Sequence, residues 1–177
     1  MNKLSIPVCH GILIMACLLL SVSSAWATHV MGSDITWKSK GKDTFEITVS
    51  VYRDCNGVDL SATPISITPT CGGQIVSVGG SISGGLDITP VCKSSCTRCS
   101  DLSCDFPFGI EQYQITATVY LGNYNCCTFN IAWEQCCRNN AITTGPSGSF
   151  YVEAMLNRCV TPYDNSPYFT NPPVAIY

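Results

Sequence analysis

Charge is what this chain has least of. Nine basic and twelve acidic side chains stand among 177 residues, 12% of the total. No run of Lys or Arg gathers into the basic patch that nucleic acid requires, and none is left to hold an anionic membrane surface. Histidine is nearly missing: His10 and His29 are the two present, so the commonest general base is scarce. No stretch after residue 27 carries apolar residues at helical spacing over a useful length. The glycine pairs Gly72-Gly73, Gly79-Gly80 and Gly84-Gly85 precede neither a helix nor a GK[ST] element, so they read as turns between short edge strands, not as a phosphate cradle.

Cysteine is what the chain has in plenty, thirteen in all. Lys3, the apolar run from Ile12 to Val22 and the small-x-small step Ala25-Trp26-Ala27 make residues 1–27 a secretory leader cut after Ala27. The run is too short for a membrane span. Ile14-Met15-Ala16-Cys17 loosely resembles a lipobox, and lipidation of Cys17 is the alternative. Cys9 and Cys17 leave with the leader, so the mature chain keeps an odd number: Cys55, Cys71, Cys92, Cys96, Cys99, Cys104, Cys126, Cys127, Cys136, Cys137 and Cys159. After export these are expected in at least four disulfides. The cluster Cys92-x3-Cys96-x2-Cys99-x4-Cys104 would suit zinc inside a cell; in an exported chain disulfides are favoured, and three internal pairings stay open. An odd count leaves one cysteine without an internal partner. Cys159 is the expected one, its mate lying beyond Tyr177, where the chain stops on an apolar run.

The rest alternates with period two. Phe45, Ile47, Val49 and Val51 face one way and Thr44, Glu46, Thr48, Ser50 and Tyr52 the other, a strand that forms a hairpin with the segment around Ile35 and Trp37 across a loop at 39–43. Ile65 and Ile67, then Ile75 to Val78, give short strands. Residues 109–121 form a long one, with Tyr113, Ile115, Ala117, Val119 and Leu121 inward and Gln112, Gln114, Thr116, Thr118 and Tyr120 outward. Gly122-Asn123-Tyr124-Asn125 is expected to turn a second hairpin into CCTFNIAWEQCC. There Cys127, Phe129, Ile131 and Trp133 share the core face of a central strand, and each vicinal cysteine pair sends its sulfurs to opposite sides to fasten two different neighbours. Phe150, Val152, Ala154 and Leu156 form a further inward face. Residues 161–177, with Pro162, Pro167, Pro172 and Pro173, read as an extended linker toward a missing module. The sum is one all-β domain over 28–177: a disulfide-bonded antiparallel β-sandwich, Ig-like in outline and truncated at its C-terminus.

Four motifs in this order are familiar. His29-Val30-Met31-Gly32 with Ile35-Thr36-Trp37, Val51-Tyr52-Arg53-Asp54-Cys55, Cys136-Cys137-Arg138-Asn139, and Asn165-Ser166-Pro167-Tyr168-Phe169 with Asn171-Pro172-Pro173 resemble the N-terminal region of large exported Bacteroidota surface proteins of the PKD-domain and gliding-motility-associated type. The match skips roughly Val58 to Asp105. Family members often have Cys-Leu-Gly where Ser39-Lys40-Gly41 stands, and continue past the Pro-Pro step into a cysteine and further modules. The resemblance implies a location, on the cell surface or outside it, more than an activity.

Function is therefore expected to be non-enzymatic: a structural or adhesive module, with unknown partners that could be surface glycans or other surface proteins. A carbohydrate-binding module using Trp37, Trp133 or tyrosines is the alternative, although both tryptophans fall on inward faces. A secreted hydrolase ranks below these. Asp54 with Asp59, or Asp101 with Asp105, could pair as carboxylates, but no dyad or triad spacing is visible. No cofactor is implied. Asp54, Asn56 and Asp59 are weak calcium candidates, because turns collect Asp and Asn for backbone reasons.

Overall fold

The computed structural model describes residues 30–89, 95–104, 109–136, 138, 148–160, 163 and 165–170. Residues 1–29, Cys17 and His29 among them, Cys92, Asp105, Cys137 and the last seven residues lie outside these. Eight strands follow in order: β1 Val30–Gly41, β2 Thr44–Asp54, β3 Ile65–Pro69, β4 Val76–Val78, β5 Ser81–Asp87, β6 Ile110–Tyr120, β7 Thr128–Gln135 and β8 Phe150–Asn157. They make two four-stranded antiparallel sheets, β1-β2-β6-β5 and β4-β3-β7-β8, closed on one core: the expected sandwich.

Each sheet is two hairpins laid side by side. β1–β2 and β5–β6 build the first, joined along the full length of β2 and β6 from Thr44↔Tyr120 to Asp54↔Ile110. β3–β4 and β7–β8 build the second, joined from Ser66↔Ala132 to Pro69↔Phe129. The β1–β2 turn is tighter than the loop expected at 39–43. Gly41 pairs with Thr44, and Lys42 and Asp43 sit at φ 44° and 60°. Two left-handed central residues match the twist of the flanking strands.

The expected hairpin between β6 and β7 does not form. Both edges of β6 are taken, by β2 and β5, so the chain must leave the sheet. Leu121 is fully buried, donates its N–H to Asp43 O at 2.8 Å and accepts from Tyr124 N at 3.2 Å. Tyr124 then meets the Phe129 ring edge-on, centroids 5.9 Å apart. Gly122–Asn125 is thus a crossover that carries apolar side chains over the end of the core.

Phe45, Ile47, Val49 and Val51 of β2 and Ile115, Ala117 and Val119 of β6 face Ile65 and Ile67 of β3, Phe129, Ile131 and Trp133 of β7 and Leu156 of β8. Trp37 shares the inward face with Ile35, but β1 is an edge strand, and the ring is half-buried at the margin of this cluster. The alternation breaks at the start of β7. Cys126 is buried and Cys127 exposed, the reverse of the expected phase, because the strand begins only at Thr128 and the crossover sets the side chains before it.

The vicinal pair does fasten two neighbours. Cys126 bonds Cys71 just past β3, and Cys127 bonds Cys159 just past β8. Cys159 is therefore partnered within the chain, correcting the expectation of an unpaired thiol. Both β3 and β8 run antiparallel to β7, which brings their C-terminal ends beside its start. Cys96 bonds Cys104, while Cys99 leaves the cluster to reach Cys55 at the end of β2, so no fully internal pairing of the cluster applies. Cys136 is also disulfide-bonded.

Among the described residues Trp133 is the largest fully buried side chain, and its Nε1 finds no partner there. Its packing therefore rests on shape and apolar area. Trp133→Ala should cost about 3–5 kcal/mol, read as a lower urea midpoint at unchanged slope; a change below about 1 kcal/mol would contradict the central placement of β7.

Candidate functional site

Two arginines, Arg53 buried and Arg158 partly so, close the ends of the sandwich and engage Glu111, Asp59 and Asp43. Arg53, with 3% of its side chain exposed, ion-pairs with Glu111 on β6 at 3.0 Å and Asp59 at 3.5 Å, donates to the carbonyl of Val58 and lies over the Tyr113 ring. The Glu111 pair carries this site, since Asp59 is fully exposed and such pairs contribute little. Asp54 accepts from Asn56 N at 3.0 Å, an Asx turn that ends β2. The three calcium candidates thus stand at a turn beside a guanidinium. At the other end Arg158 reaches Asp43 at 2.9 Å, Cys126 O at 2.8 Å and Tyr124 O, tying the β1–β2 turn to the crossover.

The 95–104 loop is built the same way. Asp87, at the end of β5, accepts from Thr89 N and Oγ1, Thr97 Oγ1 and Ser100 Oγ. Burial raises its pKa, but these four bonds outweigh it and hold the carboxyl below its ordinary range. Asp101 accepts from Ser103 N and Oγ, bonds that keep it low as well. Gly109 is required where β6 begins, because a Cβ there would meet the Cys99 and Cys55 sulfurs. Cys96, Cys99 and Cys104 are disulfide sulfurs and so unavailable as thiolate ligands for zinc.

A groove of about 490 Å³ lies on the outer face of the first sheet. Strand alternation alone makes its floor polar. Asp34, Thr36 and Lys38 come from β1, Thr48, Ser50 and Tyr52 from β2, and Gln112 and Gln114 from β6. The register aligns them in rows across the strands, Asp34–Ser50–Gln114 and Tyr52–Gln112 among them. Tyr52 donates to Asp34 Oδ2 at 2.8 Å. Its pKa is pushed up to about 12, first by burial and then by that bond and the Asp34 charge.

The wall of the groove is the segment expected to be a linker. Ser166 Oγ accepts from Trp37 N at 2.8 Å, Ser166 N donates to Trp37 O at 3.0 Å, and Asn165 Oδ1 accepts from Ser39 N at 2.8 Å. These bonds satisfy the outer edge of β1, a usual liability of sandwiches. They also set Tyr168 and Phe169 against the groove with 74% and 65% of their surfaces exposed. Of the aromatics weighed from sequence, Trp133 is core and Trp37 borders the groove; Tyr168 and Phe169 were visible only as part of a motif.

A raised phenol pKa means that the fold favours neutral Tyr52. Its stabilisation is complete below the ordinary value near 10 and is lost as pH rises through about 12. Tyr52→Phe should therefore flatten the fall in urea midpoint between about pH 10 and 12, leaving the smaller share of Tyr113, which burial also raises. An alkaline slope identical to that of the unaltered protein would contradict the buried Tyr52–Asp34 bond. No family model, no curated protein and no solved structure matches this chain.

Proposed function

We propose that this chain is a non-enzymatic extracellular module, structural or adhesive, at the N-terminus of a large exported surface protein. In this reading residues 1–27 are the export leader, cut after Ala27. The order of the four motifs, which resemble those of Bacteroidota PKD-domain and gliding-motility-associated proteins, supports that placement.

The observation that carries the reading is the disulfide frame. Four bonds tie the ends of β2, β3, β7 and β8 and brace the 95–104 loop, an investment suited to an oxidising, extracellular environment. Among the described residues no helix is long and apolar enough to cross a membrane. The use of the acids points the same way: Asp43 and Glu111 serve Arg158 and Arg53, and Asp87 and Asp101 brace a loop. A carbohydrate-binding module is the second reading, favoured by the polar groove with its exposed aromatic wall.

Antibody raised against the oxidised domain should label intact, unpermeabilised cells that express the chain, and N-terminal sequencing of the labelled protein should begin at Thr28. A product confined to the cytosol with its cysteines reduced would overturn the proposal.

A further inference from the structure

We infer that the groove over β1, β2 and β6 binds an extended neutral saccharide, held between the rows of hydroxyl, amide and carboxylate groups on the sheet and the Tyr168–Phe169 wall. The inference rests on the second reading above and names its site and ligand class.

Three features converge. The floor offers donors and acceptors at the pitch of a sheet, about 4.8 Å between strands and roughly 6.6 Å between same-face residues along one. Hydroxyls and amides such as Thr48 and Gln114 match the hydroxyls of a sugar, which both donate and accept. Two aromatic rings stand exposed beside that floor, on a segment hydrogen-bonded to β1. Rings exposed to this extent suit the C–H face of a pyranose. The volume, about 490 Å³, falls inside the usual range for small-molecule sites, roughly 300–1,000 Å³.

Charge and backbone decide against other ligands. The groove holds the carboxylates of Asp34 and Glu46 and the ammonium of Lys38, with Lys40 bridged to Glu46 at 3.0 Å. Two carboxylates against two ammonium groups leave no net positive charge to hold an anionic glycan or a phosphate. An extended peptide would seek the β1 edge, but Asn165 and Ser166 already take the groups at Trp37 and Ser39. A neutral chain of sugar rings has neither obstacle.

Calorimetry on the oxidised domain with cellohexaose, mannohexaose and xylohexaose, with a hyaluronan hexasaccharide as the anionic control, tests this. At least one neutral oligomer should bind, and the anionic one should not. Tyr168→Ala and Phe169→Ala should each weaken binding about tenfold, near 1.4 kcal/mol. Gln114→Ala should weaken it too. Tyr120→Ala, an exposed tyrosine on the same sheet outside the groove, should leave affinity unchanged. Amide shift mapping should place the sugar on β1, β2 and β6, so the site is located even if a variant misfolds. Absence of binding by all three neutral oligomers, preference for hyaluronan, or shifts elsewhere would overturn the inference. Surface labelling of intact cells would be untouched by that failure, so the adhesive reading and the saccharide inference fail separately.

Discussion

Two adjacent cysteines at the mouth of β7 hold the second sheet in register. Cys126 and Cys127 follow each other in the chain, so their side chains diverge, and one bond goes to the end of β3 and the other to the end of β8. The loops they close span 55 and 32 residues, and bonds of this kind contribute on the order of 2–4 kcal/mol each. Their effect is also geometric. β3 pairs with β7 over only four residues, a short ladder that could slip. A one-residue slip would turn Ile65 and Ile67 out of the core. The Cys71–Cys126 bond prevents that, and Phe129, Ile131 and Trp133 then meet the first sheet in one arrangement.

The first sheet is held differently. Its long β2–β6 ladder of eleven paired residues needs no covalent support along its length, and support is placed at the ends. Arg53 joins the end of β2 to β6 through Glu111, and Cys55–Cys99 draws the 95–104 loop against the same end. Arg158 joins the opposite end to the second sheet. In a chain with so few charges, one arginine at each end gathers several of the chain's acceptors at once. On the outer face of the sheet Tyr52 is bonded to Asp34, while Gln114 of the same polar rows stays exposed.

Much of this was legible in the sequence, for a simple reason. Period-two alternation reports which residues face a core, so the inward sets on β2, β6, β7 and β8 and the outward Thr48, Ser50, Tyr52, Gln112 and Gln114 could be read directly. The opposite-facing logic of a vicinal cysteine pair was readable too. What failed depended on facts beyond local pattern. Gly122–Asn125 has the residues of a hairpin turn, but whether it turns back or crosses over depends on whether the edge of β6 is vacant, and β5 occupies it. The phase of Cys126 and Cys127 was misjudged because the pattern of a strand was extended past its first residue. An odd cysteine count says that some cysteine lacks an internal partner but not which, so it does not single out Cys159, which bonds Cys127. The groove was half visible: its floor follows from alternation, whereas its wall depends on Asn165 and Ser166 finding an edge strand 126 and 129 residues earlier.

The second sheet depends most on the pairing of the vicinal cysteines. Peptide mapping of the unreduced protein by mass spectrometry, with digestion between Cys126 and Cys127 to separate their partners, reads it directly. The predicted result is Cys126 linked to Cys71 and Cys127 to Cys159. Recovery of the exchanged pairs, or of either cysteine as an alkylated free thiol in oxidised protein, would contradict it.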